Sequence, residues 1–208
     1  MLKLYFARNT CALVPHIALE QAGAKYELVR IDFAKEEQLG AEYRKINPKA
    51  RVPSLVTERG ILTEVPAILL YLCQLFPQAK MAPLDDPFEL ARVQAFNSYL
   101  CSTVHIAHAH RMRGYRWVDA SETAALDAMK RKVPQSVGEC FQLIEREMLR
   151  GPWVMGDEFG ICDMYLFTIA QWMEADGVDL SKIPKVVDHR RRVSEVPAVQ
   201  RALAQEAA

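Results

Sequence analysis

Cys11 is the residue best placed to do chemistry in this sequence. It follows LKLYF at residues 2–6, whose alternation predicts a strand, and precedes an apolar run at residues 12–22 that predicts a helix. Backbone N–H groups at a helix N-terminus stabilise an anion, so this position favours the thiolate. Val14 stands where a resolving cysteine would be, so redox chemistry here needs an external thiol. A small residue filling a gap is the alternative interpretation.

Val52-Pro53 and Glu64 are positions that could hold a ligand. Proline donates no ladder hydrogen bond, so the backbone of Val52 is open to an extended peptide; we expect a cis bond, with an ordinary edge proline as the alternative. Glu64 precedes a predicted helix, whose first N–H groups can receive a carboxylate while the glutamate receives an ammonium group. This combination suits the α-amino acid end of a ligand. An ordinary first-turn glutamate is the alternative.

The run HIAHAH at residues 105–110 places three imidazoles close together in sequence. On a helix only His105 and His108 share a face, and no carboxylate lies within one turn, so we do not expect a metal site.

The run DHRRRV at residues 188–193 predicts a solvated helix face rather than a nucleic-acid patch.

The elements that position these residues change in type along the chain. Strands are predicted at residues 2–6 and 26–33, separated by the first helix, and a weak helix follows up to Asn47-Pro48. VPSLV and ILT then form a predicted hairpin, and EVPAILLYLCQLF forms a helix that ends at Pro77. The order βαβ-ββα predicts a thioredoxin-like α/β domain.

The rest of the chain predicts helices only. A proline-rich linker at 79–87 separates a domain at 1–78 from an all-helical domain at 88–208. The predicted helices end at Gly114, Gly151-Pro152, Gly177 and Pro184, and they span residues 88–113, 120–149, 161–175 and 185–205.

Composition excludes several classes of protein. The 208 residues carry 26 Lys and Arg against 26 Asp and Glu, so no net positive field favours nucleic acid. No secretory leader or membrane-spanning stretch is evident, and we expect a cytoplasmic protein. The five cysteines contain no C-x-x-C pair and fit neither a disulfide framework nor a zinc site; the four besides Cys11 are expected to be buried.

Four segments in this order resemble glutathione transferases, and the bacterial beta class most of all: KLYFARNTCALVPHIALEQAG, NPKARVPSLV, the LTE before a helix, and GDEFGICDMYLF. The resemblance covers essentially the whole chain. It implies a homodimer with glutathione as co-substrate and no metal. The implied activity joins the thiolate of glutathione to small electrophiles.

The resemblance also assigns roles in the N-terminal domain. Cys11 would contact the sulfur of glutathione and can form a mixed disulfide with it. Lys35 would reach the glycyl carboxylate, Val52 with Pro53 would pair with the cysteinyl backbone, and Glu64 with Val65 would hold the γ-glutamyl end. Ala12 and Val65 depart from the family pattern, which often has serine at the first position and usually serine or glycine at the second; Val65 keeps its backbone N–H.

In the helical domain, the resemblance implies that Ser98 reaches toward the partner subunit's ligand and that four consecutive residues line the site: Ser102, Thr103, Val104 and His105. His105 would act in catalysis. Other transferase classes activate the sulfur with a hydroxyl, so Thr10 and Tyr5 are rival activators; Tyr5 is expected to pack instead. Two other functions stay open: a thiol transferase or deglutathionylating enzyme working through Cys11 on disulfide substrates, and a non-catalytic glutathione- or ligand-binding protein.

Overall fold

The computed structural model describes residues 1–207, which form two compact units. The first contains residues 1–91 and the C-terminal segment from residue 194 onward, and the second contains residues 92–193. The domain bounds 1–78, 79–87 and 88–208 stay a prediction, and residue 208 lies outside the described part. Among residues 1–207, every helix is too short or too polar to cross a bilayer.

The first unit is built on a four-stranded sheet with the order β2-β1-β3-β4. The strands are β1 at Leu2–Phe6, β2 at Tyr26–Arg30, β3 at Ser54–Thr57 and β4 at Gly60–Thr63. β1 pairs parallel with β2 and antiparallel with β3, and β3 pairs antiparallel with β4. Parallel pairing of β1 and β2 requires a crossover, which a helix supplies. The predicted thioredoxin-like βαβ-ββα arrangement is confirmed.

Helices account for most of the remaining chain. Four belong wholly or mainly to the first unit: α1 at Leu13–Gln21, α2 at Ala41–Ile46, α3 at Val65–Leu75 and α9 at Pro197–Ala207. The others are α4 at Pro87–Tyr99, α5 at His105–Ala109, α6 at Thr123–Leu143, α7 at Ile161–Ala170 and α8 at Pro184–Ser194.

Helix α1 is buried along its whole first two turns, from Leu13 to Leu19. Pro15 lies in the first turn, where its missing N–H breaks no intrahelical hydrogen bond. The buried stretch contains one ionisable residue, His16, which is 0% exposed. A buried imidazole must find hydrogen-bond partners, and it finds them on another helix.

Helix α9 supplies those partners and packs against α1. His16 Nδ1 lies 3.1 Å from Glu206 Oε1, and His16 Nε2 lies 3.0 Å from Gln205 Oε1. On the preceding loop, the Arg8 guanidinium donates to the carbonyl oxygen of Ala207 at 2.8 Å. The end of the chain therefore fixes both α1 and the loop that enters it.

In the second unit, the buried carboxylate of Asp163 stabilises the start of α7. It accepts from the backbone N–H groups of Gly160 and Val154, each at 2.8 Å, and lies 2.8 Å from His189 Nε2. Asp163 thus replaces the missing side-chain cap at Gly160 and ties α7 to α8.

Several predicted boundaries are wrong for local reasons. β2 ends at Arg30 rather than residue 33, because Asp32 caps a 3₁₀ turn at Phe33–Lys35. The single helix predicted at 185–205 is two helices, and Pro197 begins the second. The helix predicted at 161–175 ends at Ala170.

The long helices predicted at 88–113 and 120–149 are also interrupted. A π-turn at Leu100–Val104 separates α4 from α5, and a second at Ile144–Met148 follows α6. A π-turn contains one more residue than an α-helical turn, and the spacing of apolar residues does not reveal it. The sequence therefore indicated continuous helices.

Two expectations about burial need correction. Cys73 and Cys162 are buried as predicted, but Cys101 and Cys140 are half-buried. In the segment predicted to be a solvated face, Arg191 and Arg192 pair with Asp188, yet His189 is fully buried against Asp163. The pattern of charges did not reveal that one residue of the run faces the core.

We expect Glu206→Ala to lower the free energy of unfolding by about 1–3 kcal/mol, because it leaves His16 Nδ1 buried without its partner. Glu206→Gln keeps an acceptor oxygen and should cost less. Urea denaturation monitored by circular dichroism measures both. Glu42→Ala is the control, since Glu42 forms an exposed ion pair with Lys45 and should matter little. Equal effects of Glu206→Ala and Glu42→Ala would contradict the interpretation.

Candidate functional site

Cys11 lies in the turn between β1 and α1, immediately before the helix, and its side chain is half-buried. Thr10 organises this turn: its hydroxyl donates to the carbonyl of Ala7 at 2.7 Å and accepts from the N–H of Ala12 at 3.2 Å. The hydroxyl proton of Thr10 is therefore already used within the protein. This geometry favours Cys11 over Thr10 as the group that meets a ligand's sulfur.

The thiol of Cys11 lies beside the backbone of Val52. Its Sγ is 3.6 Å from the carbonyl oxygen of Val52, within reach of a weak S–H hydrogen bond. The Val52-Pro53 bond is cis, as expected. The structure thus brings two of the predicted ligand contacts, Cys11 and Val52, to one place.

The Val52 segment is held in position by buried polar groups. The carbonyl of Arg51 accepts from the Tyr43 hydroxyl and from Asn47 Nδ2, both at 2.7 Å. The Tyr43 hydroxyl also lies 3.0 Å from Ser54 Oγ. Burial raises the pKa of this Tyr43 hydroxyl. These contacts fix the backbone on both sides of Val52. Tyr5 packs with its ring 5.7 Å from that of Tyr43, as predicted.

Glu64 precedes α3 with a φ of +71°, a backbone conformation that residues other than glycine rarely adopt. Such strain costs about 1–3 kcal/mol and is concentrated at functional sites. Its carboxylate accepts from Lys49 Nζ, which also donates to Thr63 Oγ1 at 2.7 Å. Sequence reasoning missed Lys49, because no local pattern joins a loop lysine to a glutamate 15 residues later.

Lys35 lies at the end of the 3₁₀ turn and is mostly exposed, with Nζ 3.6 Å from Asp32 Oδ2. Two residues earlier, Phe33 packs against the apolar cluster that contains Ala12 and Val52. The turn carrying Lys35 is therefore anchored to the same core as the Cys11 loop. Its predicted contact with a carboxylate stays a prediction.

The predicted residues of the helical unit cluster around the π-turn at Leu100–Val104. Ser98, Ser102 and Thr103 are exposed, whereas Val104 is buried. The Ser102 hydroxyl donates to the carbonyl of Ser98 at 2.7 Å. His105 follows at the start of α5 with its ring 5.1 Å from that of Trp172. π-turns are frequent at functional sites, where they redirect side chains.

The histidine run at residues 105–110 has a carboxylate partner in the structure that the sequence did not indicate. Asp176 lies 68 positions after His108 and accepts from its Nδ1 at 2.7 Å. Among residues 1–207, no three His, Cys, Asp or Glu side chains form a group suited to hold a metal ion.

Comparisons with known proteins agree along the whole chain. Residues 1–74 match the family model for the glutathione S-transferase N-terminal domain, and residues 105–197 match that for its C-terminal domain. A glutathione S-transferase of Escherichia coli O157:H7 is 28% identical, with 99% of this chain and 98% of that protein covered.

Solved structures are similar as well. A Sulfitobacter glutathione transferase homologue with bound glutathione has 38% identity and a TM-score of 0.94, with 99% of this chain and 98% of that chain covered. A beta class glutathione S-transferase of Sphingomonas chungbukensis has 32% identity and a TM-score of 0.85, with 98% of each chain covered.

We expect iodoacetamide to alkylate Cys11 faster at neutral pH than the other four cysteines. Burial raises the pKa of the Cys73 thiol to about 12 and also raises that of Cys140, so few thiolates form there at pH 7. Cys11, by contrast, stands at a helix start. Mass-resolved labelling of one digest measures all five rates.

Cys101 is the matched control, because it is half-buried like Cys11 but lies within a helical segment. Labelling of Cys101 as fast as that of Cys11 would contradict a special reactivity of the helix-start thiol.

Proposed function

This chain belongs to the glutathione S-transferase family, and from that premise we propose that Cys11, Val52 and Glu64 hold glutathione while its thiolate attacks a small electrophile. Glutathione is the co-substrate of the enzyme. The observation that carries the assignment is the 3.6 Å approach of Cys11 Sγ to the Val52 carbonyl. A tripeptide whose cysteinyl residue pairs with the Val52 backbone would have its sulfur close to that thiol.

The γ-glutamyl end of glutathione carries an ammonium group and a carboxylate, and α3 offers a partner for each. The first-turn N–H groups of Val65 and Ala67 have no acceptor within a helix and can receive the carboxylate. Pro66 removes the N–H between them. The Glu64 carboxylate accepts from the ammonium group of Lys49, which supports its capacity to bind an ammonium group.

The remaining contacts complete the proposal. Lys35 pairs with the glycyl carboxylate as a flexible, exposed cation. Thr103 and His105 contribute from the helical unit, with Ser102 and Val104 beside them, and Ser98 reaches toward the partner subunit's ligand. Thr10 acts by holding the turn rather than by touching sulfur.

The chemistry requires the sulfur of glutathione to be an anion. The start of α1 presents backbone N–H groups and the positive end of the helix dipole, and Cys11 can donate its S–H to the bound thiolate. The sulfur electron pair then forms a bond to the electrophilic carbon, and in a substitution the leaving group departs with its own bonding pair.

Thiol-disulfide exchange is the second candidate function, favoured by the half-buried thiol at a helix start. The Cys11 thiolate would attack a disulfide between glutathione and another thiol, form a mixed disulfide with the glutathione and release the other thiol. A second glutathione would then reduce this mixed disulfide and leave as glutathione disulfide, because Val14 offers no resolving thiol.

We further propose a cytoplasmic homodimer. The exposed apolar side chains of the first unit include Ile61 on the edge strand β4, Leu75 at the end of α3 and Phe88 in the first turn of α4. Phe88 is 71% exposed, and a partner subunit that covers it would remove this apolar ring from water.

Conjugation of glutathione to 1-chloro-2,4-dinitrobenzene tests the function. We expect Glu64→Gln to raise the KM for glutathione about tenfold, equivalent to about 1.4 kcal/mol, with a smaller change in kcat. Glu58→Gln is the control, since Glu58 pairs with the N-terminal amine. Failure of the unmodified protein to turn over, or equal effects of the two substitutions, would refute the proposed site.

We expect sedimentation at micromolar concentration to give about twice the 23.6 kDa mass of the chain. Phe88→Asp places a charge in the proposed interface and should shift the protein toward monomers. Met112→Asp is the control, because Met112 is similarly exposed but lies in the other unit. A monomeric unmodified protein would contradict the homodimer.

A further inference from the structure

Lys49 lies beside the start of α3, yet none of the contacts proposed above joins it to glutathione. Its ammonium group donates to the Glu64 carboxylate and, at 2.7 Å, to the Thr63 hydroxyl. The side chains of Lys49 and Glu64 are 44% and 63% exposed. An ion pair this exposed contributes little to the stability of the fold. Both of its charges can therefore be reached by a ligand.

A fixed turn presents Lys49 at this place. The side chain of Asn47 is buried; its Oδ1 accepts from the N–H of Lys49 at 3.1 Å, and its Nδ2 donates to the carbonyl of Arg51 at 2.7 Å. The N–H of Ala50 donates to the carbonyl of Asn47 at 2.9 Å. Asparagine favours such turns because its side chain binds the backbone two residues later. One buried residue thus positions both Lys49 and the segment that leads into Val52.

The start of α3 supplies few hydrogen-bond donors for a ligand carboxylate. A carboxylate has about four sites that accept hydrogen bonds. The first turn offers it the N–H groups of Val65 and Ala67. Pro66 has no N–H, and the side chain of Val65 has no polar atom. A carboxylate at this helix start can therefore accept a further hydrogen bond from a donor outside the helix.

Lys49 has a hydrogen left for this purpose. An ammonium group donates three hydrogen bonds, and those to Glu64 and Thr63 use two of them. Glu64 also keeps capacity, because Lys49 binds its Oε1 and leaves Oε2 for the ammonium group of a ligand. The pair presents a positive and a negative group side by side. This arrangement complements an α-amino acid end, which carries one charge of each sign.

We propose that Lys49 is a specificity-determining residue that binds the α-carboxylate of the γ-glutamyl group, while Glu64 binds its ammonium group. The two residues together select tripeptides whose first residue carries both charges over tripeptides that lack either one. This inference rests on the proposed binding of glutathione and adds Lys49 to it.

Two other roles for Lys49 lead to different results. A lysine that only orients Glu64 would help every ligand with an ammonium group, whether or not the ligand has the α-carboxylate. A lysine that competes with the ligand's ammonium group for Glu64 would weaken binding, so its removal would strengthen it. Ligands that lack one charge at a time separate the three roles.

The experiment titrates the full-length protein with three S-methyl tripeptides and follows binding in ¹H–¹⁵N NMR spectra. The ligands are S-methylglutathione, its 4-aminobutanoyl analogue, which lacks the α-carboxylate, and its glutaryl analogue, which lacks the ammonium group. S-methylation prevents a mixed disulfide with Cys11. Only folded protein gives the shifted signals, so the Kd does not depend on the folded fraction.

Lys49→Met keeps an apolar stem and removes the charge. We expect it to raise the Kd of S-methylglutathione about tenfold and that of the 4-aminobutanoyl analogue less than about twofold. Glu64→Gln should weaken S-methylglutathione by a similar factor and spare the glutaryl analogue instead. Lys45→Met is the matched control, because Lys45 forms an exposed ion pair with Glu42 and its loss should leave all three Kd values unchanged.

Equal losses for S-methylglutathione and the 4-aminobutanoyl analogue in Lys49→Met would mean that Lys49 only orients Glu64, and would overturn the proposal. Unchanged or tighter binding of S-methylglutathione by this variant would overturn it as well. In these cases the unmodified protein still binds S-methylglutathione, and the proposed function stands. No binding of S-methylglutathione by the unmodified protein would refute both.

Discussion

The burial of His16 is the constraint on which the geometry of the Cys11 loop depends. The His16 imidazole projects from α1 and has no access to water, and both of its nitrogens meet oxygen atoms from α9. Separating the two helices would leave a polar ring unpaired in an apolar core, at a cost of about 1–3 kcal/mol. Because Arg8 binds the end of α9 as well, the loop holding Cys11 is fixed from both sides.

This arrangement explains how a thiol can be accessible and still well placed. In its proposed role Cys11 needs contact with solvent and substrate, so its own packing cannot hold it. Its position comes instead from residues around it, which include the Thr10 hydroxyl within the turn and the Tyr43 hydroxyl near the Val52 segment. The sulfur proposed to react is thereby separate from the groups that fix its surroundings, as preorganised sites require.

The sequence predicted those features that depend on near neighbours. The helix start after Cys11, the hairpin after Pro53 and the position of Glu64 before a helix all follow from residues close together in the chain. It did not predict the partners that arrive from a distance, such as Glu206 for His16, Lys49 for Glu64 or Asp176 for His108. Each is an ordinary charged residue in its own segment, and only the folded chain brings it to its partner.

At the π-turn of Leu100–Val104, the number of residues determines the direction in which the side chains of the following helix point. An α-helix turns by about 100° per residue, and a π-turn accommodates one additional residue. Removal of that residue, with Trp172 held by its own packing, would rotate α5 by about 100° and carry His105 and His108 away from the Trp172 indole, which both rings now contact. A single-residue deletion here would therefore act as a rotation of the histidine face, and homologous chains that differ by one residue at this turn would present different side chains to the same indole.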